Sequence, residues 1–153
     1  MRDLTADETK EVLRAQETGR LGVYDPEHHR VYIVPISYVY SDGVLYFHSA
    51  PGVKLELLHA QADSVCFQVD DIADIGDWKS VIAWGHFAEI EDPERRQSIL
   101  RSFGPRLLRG PMRDHQNVGR GGILGAGESV YRIEIRELSG RADESGWMAR
   151  QSN

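Results

Sequence analysis

The sequence predicts a mainly β protein: a small antiparallel barrel of six strands with α-helices beside it. Three observations carry this. Six runs rich in Val, Ile, Tyr and Phe recur between turn residues, the connections between them read as short hairpins, and there is no regular strand–helix–strand alternation of the kind a parallel sheet needs. No internal repeat or low-complexity block interrupts the pattern. The 153 residues, 41% apolar and 27% charged, suit one domain able to bury roughly two-thirds of its unfolded surface.

Each element has its own warrant. Thr5-Ala-Asp-Glu8 has capping-box spacing and opens a helix expected over about 5–18, with Val12 and Leu13 inward and Gly19 as its stop. Arg20–Asp25 reads as the first strand and Pro26–His29 as a connection. Arg30–Tyr40 is a long second strand with Pro35 in its middle. Proline cannot donate to a ladder, so that strand is bulged or at an edge there. Ser41-Asp-Gly43 is a turn signal, predicting a hairpin over Arg30–Ser49 with Val44–Ser49 as its return strand. Val53–Ala60 is a short helix, Ser64–Asp70 a fourth strand, and Asp70–Asp77 a loop whose formal charges are four aspartates. Lys79–Ile90, apolar on both faces, reads as a central strand. Asp92-Pro93-Glu94 starts a helix with a capping carboxylate, a first-turn proline and an acid at the positive end, and it is expected to run to about Phe103. Gly104–Gly127 holds seven glycines and four arginines (Arg106, Arg109, Arg113, Arg120) and reads as a mobile loop. Ser129–Leu138 closes the sheet, and the polar tail over 141–153 is expected to fray. The domain core is placed at about 19–140.

Composition excludes several classes. Twenty-four acids against 18 bases give a net charge of −6, the wrong sign for a general nucleic-acid binder. No run of 18 apolar residues offers a membrane-spanning helix, and the charged start MRDLTADETKEV lacks the apolar segment of a secretory signal. Cys66, the single cysteine, builds neither an internal disulfide nor a cysteine zinc site. The expectation is a soluble cytoplasmic protein.

The chemistry-bearing residues are few. His28-His29 lie adjacent in a turn with no third ligand nearby, so no metal site is assigned. Gly119–Gly127 precedes a strand instead of joining a strand to a helix, which rules out the dinucleotide fingerprint. In Tyr46–Lys54 a strand ends, small residues turn, and a helix opens with a lysine. First-turn amides, the Ser49 hydroxyl and the Lys54 ammonium together can cradle a phosphate; the alternative is an ordinary strand-to-helix turn with a surface lysine. His48 is either a hydrogen-bonded wall residue or a proton donor to a redox cofactor. Trp78 and Ser80 share one face of a strand, where an aromatic beside a hydroxyl suits the edge of a flat polar ring; burial of Trp78 is the alternative.

The order of the segments carries a resemblance. Gly19-Arg-Leu-Gly22 leads to Val34-Pro-Ile-Ser-Tyr38, then Gly43-Val-Leu-Tyr-Phe-His-Ser-Ala50, Gly52-Val-Lys54, Val65-Cys-Phe67, Trp78-Lys-Ser-Val81, Gly85-His-Phe-Ala88, Glu91-Asp-Pro93 and Tyr131–Gly140. This resembles the pyridoxamine 5′-phosphate oxidase-like flavin-binding split-barrel superfamily over about residues 19–140, most closely its nitroimidazole-resistance branch. The resemblance implies a six-stranded split barrel pairing as a homodimer, with FMN in the groove between protomers. It implies that Pro35, Ile36, Ser37 and Tyr38 run along the flavin and that His48, Ser49 and Lys54 form the phosphate side. Trp78, Ser80 and Val81 would come from the other chain, and His48 would be the catalytic residue. A small barrel fills its own interior, so a large ligand belongs at an interface.

Two departures narrow the expectation. The oxidases proper carry an arginine–lysine strand motif that Val31–Tyr40 lacks. Their late Arg-x-His motif has a spacing match in Arg113-Asp-His115, but before the last strand, so its role is not transferred and vitamin B6 oxidation is not expected. The resulting expectation is an FMN-dependent oxidoreductase taking a hydride from a reduced nicotinamide and passing electrons to a small acceptor, with the arginine-bearing loop as a lid. A second reading is a non-catalytic binder of flavin, deazaflavin or haem, for which His48, His59 and His86 are available as iron ligands. A third, a nucleic-acid-binding barrel, is disfavoured by the charge.

Overall fold

The structure is a computed structural model and describes residues 1–107 and 129–146. Its elements are β1 (Arg2–Asp3), α1 (Ala6–Ala15), β2 (Thr18–Asp25), β3 (Arg30–Ser37), β4 (Val39–Ser41), β5 (Val44–Ser49), α2 (Val53–Ala60), β6 (Val65–Asp74), β7 (Asp77–Glu89), α3 (Pro93–Leu107) and β8 (Ser129–Asp143). The predicted capping box is present: the Glu8 amide donates to Thr5 Oγ1 at 3.2 Å and the Thr5 amide to Glu8 Oε2 at 2.8 Å. Asp92 likewise caps α3, accepting from the Arg95 amide at 2.9 Å.

All pairing is antiparallel, in the order β3-β2-β6-β7-β8-β5-β4, with β1 added to β8. This order proves closure. β3 and β4 stand at opposite ends of the path, six strand spacings apart, which in a flat sheet is about 29 Å. Only Tyr38 separates them in sequence, and one linking residue reaches about 7 Å. The sheet must therefore curl until its ends meet at Tyr38. No ladder joins β3 to β4 or β5, so the barrel closes without a closing hydrogen-bonded seam and is split there.

The interior agrees. Phe67 of β6 sits 4.8 Å from Tyr38 and 5.6 Å from Phe47 of β5, and Phe47 stacks on Tyr131 of β8 at 5.2 Å. Leu13 and Val12 of α1 and Leu58 of α2 plug this core. Phe103 of α3, Val130 and Ile90 are buried but stand outside that cluster, so α3 covers a separate small patch.

Several expectations are corrected. The described residues form eight strands, because β1 forms and the 30–40 run breaks at Tyr38. The Arg30–Ser49 hairpin is not one: β3 pairs with β2, and only Val39–Ser41 folds back on β5 across Asp42-Gly43. Pro35 does lie on an edge strand. The helix ends at Ala15, and Gly19 lies within β2; a Cβ there would meet the Phe67 ring at 2.2 Å, so this glycine permits close packing. The aspartate loop is strand as far as Asp74 and resumes at Asp77. β7 is central but alternates, with Val81, Ala83 and Phe87 inward and Ile82, Trp84 and His86 outward. The tail is strand to Asp143, held between β1 and β7. The glycine-rich stretch from 108 onward, with Arg109, Arg113, His115 and Arg120, lies outside the described residues. So does the chain beyond 146.

Candidate functional site

The end of β5 and the start of α2 form the most distinctive constellation. Gly52 is the N-cap of α2, and no side chain caps that end. The Leu55 and Glu56 amides bond back to the Gly52 carbonyl, leaving those of Val53 and Lys54 as the open donors of the first turn. A side chain at Gly52 would meet nothing within 4 Å, so the approach to these donors is clear. Lys54 is half-buried and makes no ion pair among the described residues. Burial alone pushes its ammonium below the usual lysine range. Ser49, also half-buried, donates to the Ala50 carbonyl at 3.0 Å. An uncompensated, partly desolvated cation beside open helix amides fits a bound anion such as a phosphate.

The register brings β3 to the same place. Val39 pairs with Tyr46, so the chain passing from Ser37 into β4 runs beside the second half of β5, and β3 touches β5. Pro35 and Ser37 are exposed, and Ile36 is buried. Tyr38 and Val81 have no exposed surface. Neither side chain is open to a ligand in this structure, so their main chains are what remains to meet a flavin. His48 is half-buried on the outer face of β5, its ring edge-on to Phe103 of α3 at 4.8 Å.

Trp78 and Ser80 are elsewhere. His48 pairs with Val130, next to the Tyr131–Glu89 pair that ends β7. Ser80 lies nine residues up β7 from Glu89, about 30 Å along the strand. One protomer therefore does not unite Trp78 and Ser80 with His48, Ser49 and Lys54. Ser80 Oγ instead accepts from Gln68 Nε2 at 3.1 Å. Gln68 also donates to Asp70 at 2.8 Å, which pairs with Arg20 at 3.0 Å.

Residue-by-residue reading missed one surface. Ile33, Gly22, Cys66 and Trp84 are consecutive register partners across β3, β2, β6 and β7 on the outer face. Ile33 is 65% exposed, its neighbour Val31 62%, and Trp84 38%. Burial holds the Cys66 thiol above its ordinary range. The signal was in the sequence: Val31–Ile36 is apolar at every position except Tyr32 and Pro35, where a one-sided strand would alternate. Among the described residues no group of three or more His, Cys, Asp or Glu is arranged to hold a metal, and no helix is long and apolar enough to cross a membrane.

Comparison with known proteins adds the context. The chain matches the profile of the pyridoxamine 5′-phosphate oxidase family over residues 5–142. An uncharacterized protein of Rhizobium meliloti (strain 1021) is 31% identical over 90 residues, spanning 59% of this chain and 58% of that protein's length. Among solved structures, a FAD-binding protein of Mesorhizobium loti superposes with a TM-score of 0.73 at 32% identity, covering 92% of this chain and 96% of that one. A 5-nitroimidazole antibiotic resistance protein of Bacteroides thetaiotaomicron gives 0.68 at 18% identity, covering 91% and 85%. The flavocytochrome Anf3 of Azotobacter vinelandii gives 0.69 at 19%, covering 90% and 67%.

Proposed function

Because the chain belongs to the pyridoxamine 5′-phosphate oxidase family and has its split-barrel fold, we propose that it is a flavin-dependent oxidoreductase. It acts as a homodimer, with FMN between the protomers and a reduced nicotinamide as electron source for a small acceptor. The single observation that carries this reading is the half-buried Lys54, without an ion pair among the described residues, at the start of α2, which no described side chain caps. Lys54, the first-turn amides and Ser49 take the flavin phosphate. Pro35–Ser37 supply main-chain groups and small side chains along the ring system. His48, held against Phe103, presents its imidazole as the proton-carrying group on that side. A bound flavin supplies the hydride and electron transfer. The protein's part is to fix its position, exclude water and hold a proton at His48.

The register supports the dimer reading: Trp78 and Ser80 lie about 30 Å along β7 from the level of His48, so a site using both would draw them from two copies. The exposed Val31–Ile33–Trp84 face gives the second copy apolar surface to cover. Two of the similar solved proteins are described as FAD-binding, from Mesorhizobium loti and Mycobacterium smegmatis, which supports a flavin and leaves the choice of FMN to experiment.

The test is the visible spectrum of the protein as purified, with chromatography of the cofactor released on denaturation. A two-banded flavin spectrum and released FMN are expected. Released FAD or deazaflavin changes the cofactor, and a sharp Soret band moves the reading to haem. A protein that stays colourless with added flavin overturns it. Reduced-nicotinamide consumption with nitroaromatic and quinone acceptors then separates turnover from binding.

A further inference from the structure

At the other end of β5, about 20 Å from Ser49 by strand length, lies a cleft of about 370 Å³ between α1, the β4–β5 turn and β8. That volume is in the range of small-molecule sites. Its floor is apolar: Tyr40, Ile135 and Leu138 pack against the core from below. Its rim is charged with both signs. Lys10 and Arg14, four residues apart on α1, share one face of the helix. Asp42, at a positive φ of 47°, and Glu137 supply the carboxylates.

None of these four charges makes an ion pair among the described residues, although opposite signs line one cleft. Arg14 instead lies over the Tyr40 ring, 5.7 Å from its centre. Arg136, the remaining cation of the lining, donates to Asp63 at 2.8 Å. It occupies a bulge, since Trp84 pairs with Glu137 and Gly85 with Ile135. Bulges re-aim neighbouring side chains and recur beside functional sites. The turn is anchored to this bulge by the Ile135 amide donating to the Gly43 carbonyl at 3.0 Å, so the two walls are held at a fixed separation.

We infer that this cleft binds a small zwitterion, with its anionic group between Lys10 and Arg14 and its ammonium or other strong donor at Asp42 and Glu137. A ligand bearing only one charge would leave the opposite pair facing it unmatched, so both halves are needed. The inference does not depend on the flavin reading, because the cleft shares no residue with the Ser49–Lys54 constellation.

The experiment is amide NMR of the full-length protein titrated with 4-aminobutyrate, butyrate and butylamine, the last two each carrying half of the charge pattern. Shifts confined to 10–14, 40–43 and 135–138 are expected, with 4-aminobutyrate bound about tenfold or more tighter than either half. Lys10→Gln with Arg14→Gln should abolish them while signal dispersion and flavin content stay unchanged. Equal response to zwitterion and halves, response to none, or persistence in the double variant each overturns the inference.

Discussion

The Tyr38 hydroxyl donates to the carbonyl oxygen of Leu13 at 2.7 Å, and through this contact the seam of the barrel is fastened to α1. Leu13 is in the last turn of that helix, where carbonyls have no intrahelical partner. The Tyr38 amide is fixed as well, donating to the Glu17 carbonyl at 3.1 Å. One residue thus joins the two ends of the sheet, satisfies a helix terminus and lays its ring against Phe67.

Tyr38→Phe keeps the ring and removes the hydroxyl, leaving a buried carbonyl unsatisfied. A loss of about 1–3 kcal/mol is expected, read as a lower urea midpoint at unchanged slope. Flavin content should not change. A variant of normal stability that loses flavin would instead make the Tyr38 hydroxyl part of the cofactor site.

How much of this was legible beforehand differs element by element. Val44–Ser49 and Val53–Ala60 were readable to the residue, because Asp42-Gly43 and Pro51-Gly52 punctuate them and each side chain's preference agrees with the fold. Tyr38 was not readable as a break. A buried aromatic flanked by Ser and Val looks like continuous strand, and the pairing switch there is set by contacts with Glu17 and Leu13, more than 20 residues away in sequence. Arg141–Asp143 looked like a fraying tail for a similar reason: its polar residues are held by β1 and β7, and periodicity carries no trace of distant ladders. In the site, Ser49 and Lys54 were legible as a local pattern. The separation of Trp78 and Ser80 from them needed the register.

Gly85 tests the bulge. A Cβ there would lie 2.2 Å from the Glu134 carbonyl oxygen and 2.8 Å from Ile133 Cγ2, both in the paired β8. Backbone cannot yield as a flexible side chain does, so Gly85→Ala should cost about 1–3 kcal/mol or more. It should also disturb amide signals at 134–137. A variant as stable as the parent would show that the bulge can slide.

Glu8 sets an acid limit. The Arg2 side-chain hydrogen bonds, with help from the Thr5 amide, pull the Glu8 carboxyl down to about 2. A depressed folded value means its contribution is fully present above the ordinary carboxylate range, near 4.5, and is lost as pH falls through about 2. Arg2 and Glu8 are solvent-accessible, so salt should weaken the effect. Glu8→Gln should flatten stability against pH between about 4.5 and 2, and the parent should lose its advantage only below about pH 2. An unchanged slope would place the acid sensitivity elsewhere.

The outer face tests assembly. Ile33→Asp or Trp84→Asp puts a carboxylate in the middle of the apolar row without touching the core. Burying an unpaired charge at an interface costs several kcal/mol, so sedimentation should show a dimer reduced to monomer. Flavin should be lost together with dimerisation. A monomeric parent, or a variant that remains dimeric, removes this face from the interface.

Lys54 makes the sharpest prediction, because its effects on stability and on binding have opposite signs. Burial lowers its folded pKa below the unfolded one, so the unfolded chain holds the proton more readily and, without a bound anion, the charged lysine weakens the fold. That penalty fades as pH rises toward the ordinary lysine range. Lys54→Met keeps the apolar stem and removes the charge, and in cofactor-free protein it should leave stability equal or higher at neutral pH. The same change removes a charge-assisted contact worth about 1.5–3 kcal/mol, which is roughly a ten- to hundredfold loss of flavin affinity. Urea unfolding of the cofactor-free protein reads the first effect, and calorimetric titration of FMN, with riboflavin as the phosphate-free control, reads the second. Riboflavin should bind parent and variant alike, since Lys54 is assigned to the phosphate alone. If FMN and riboflavin lose affinity equally, the lysine shapes the pocket and the phosphate is held somewhere else.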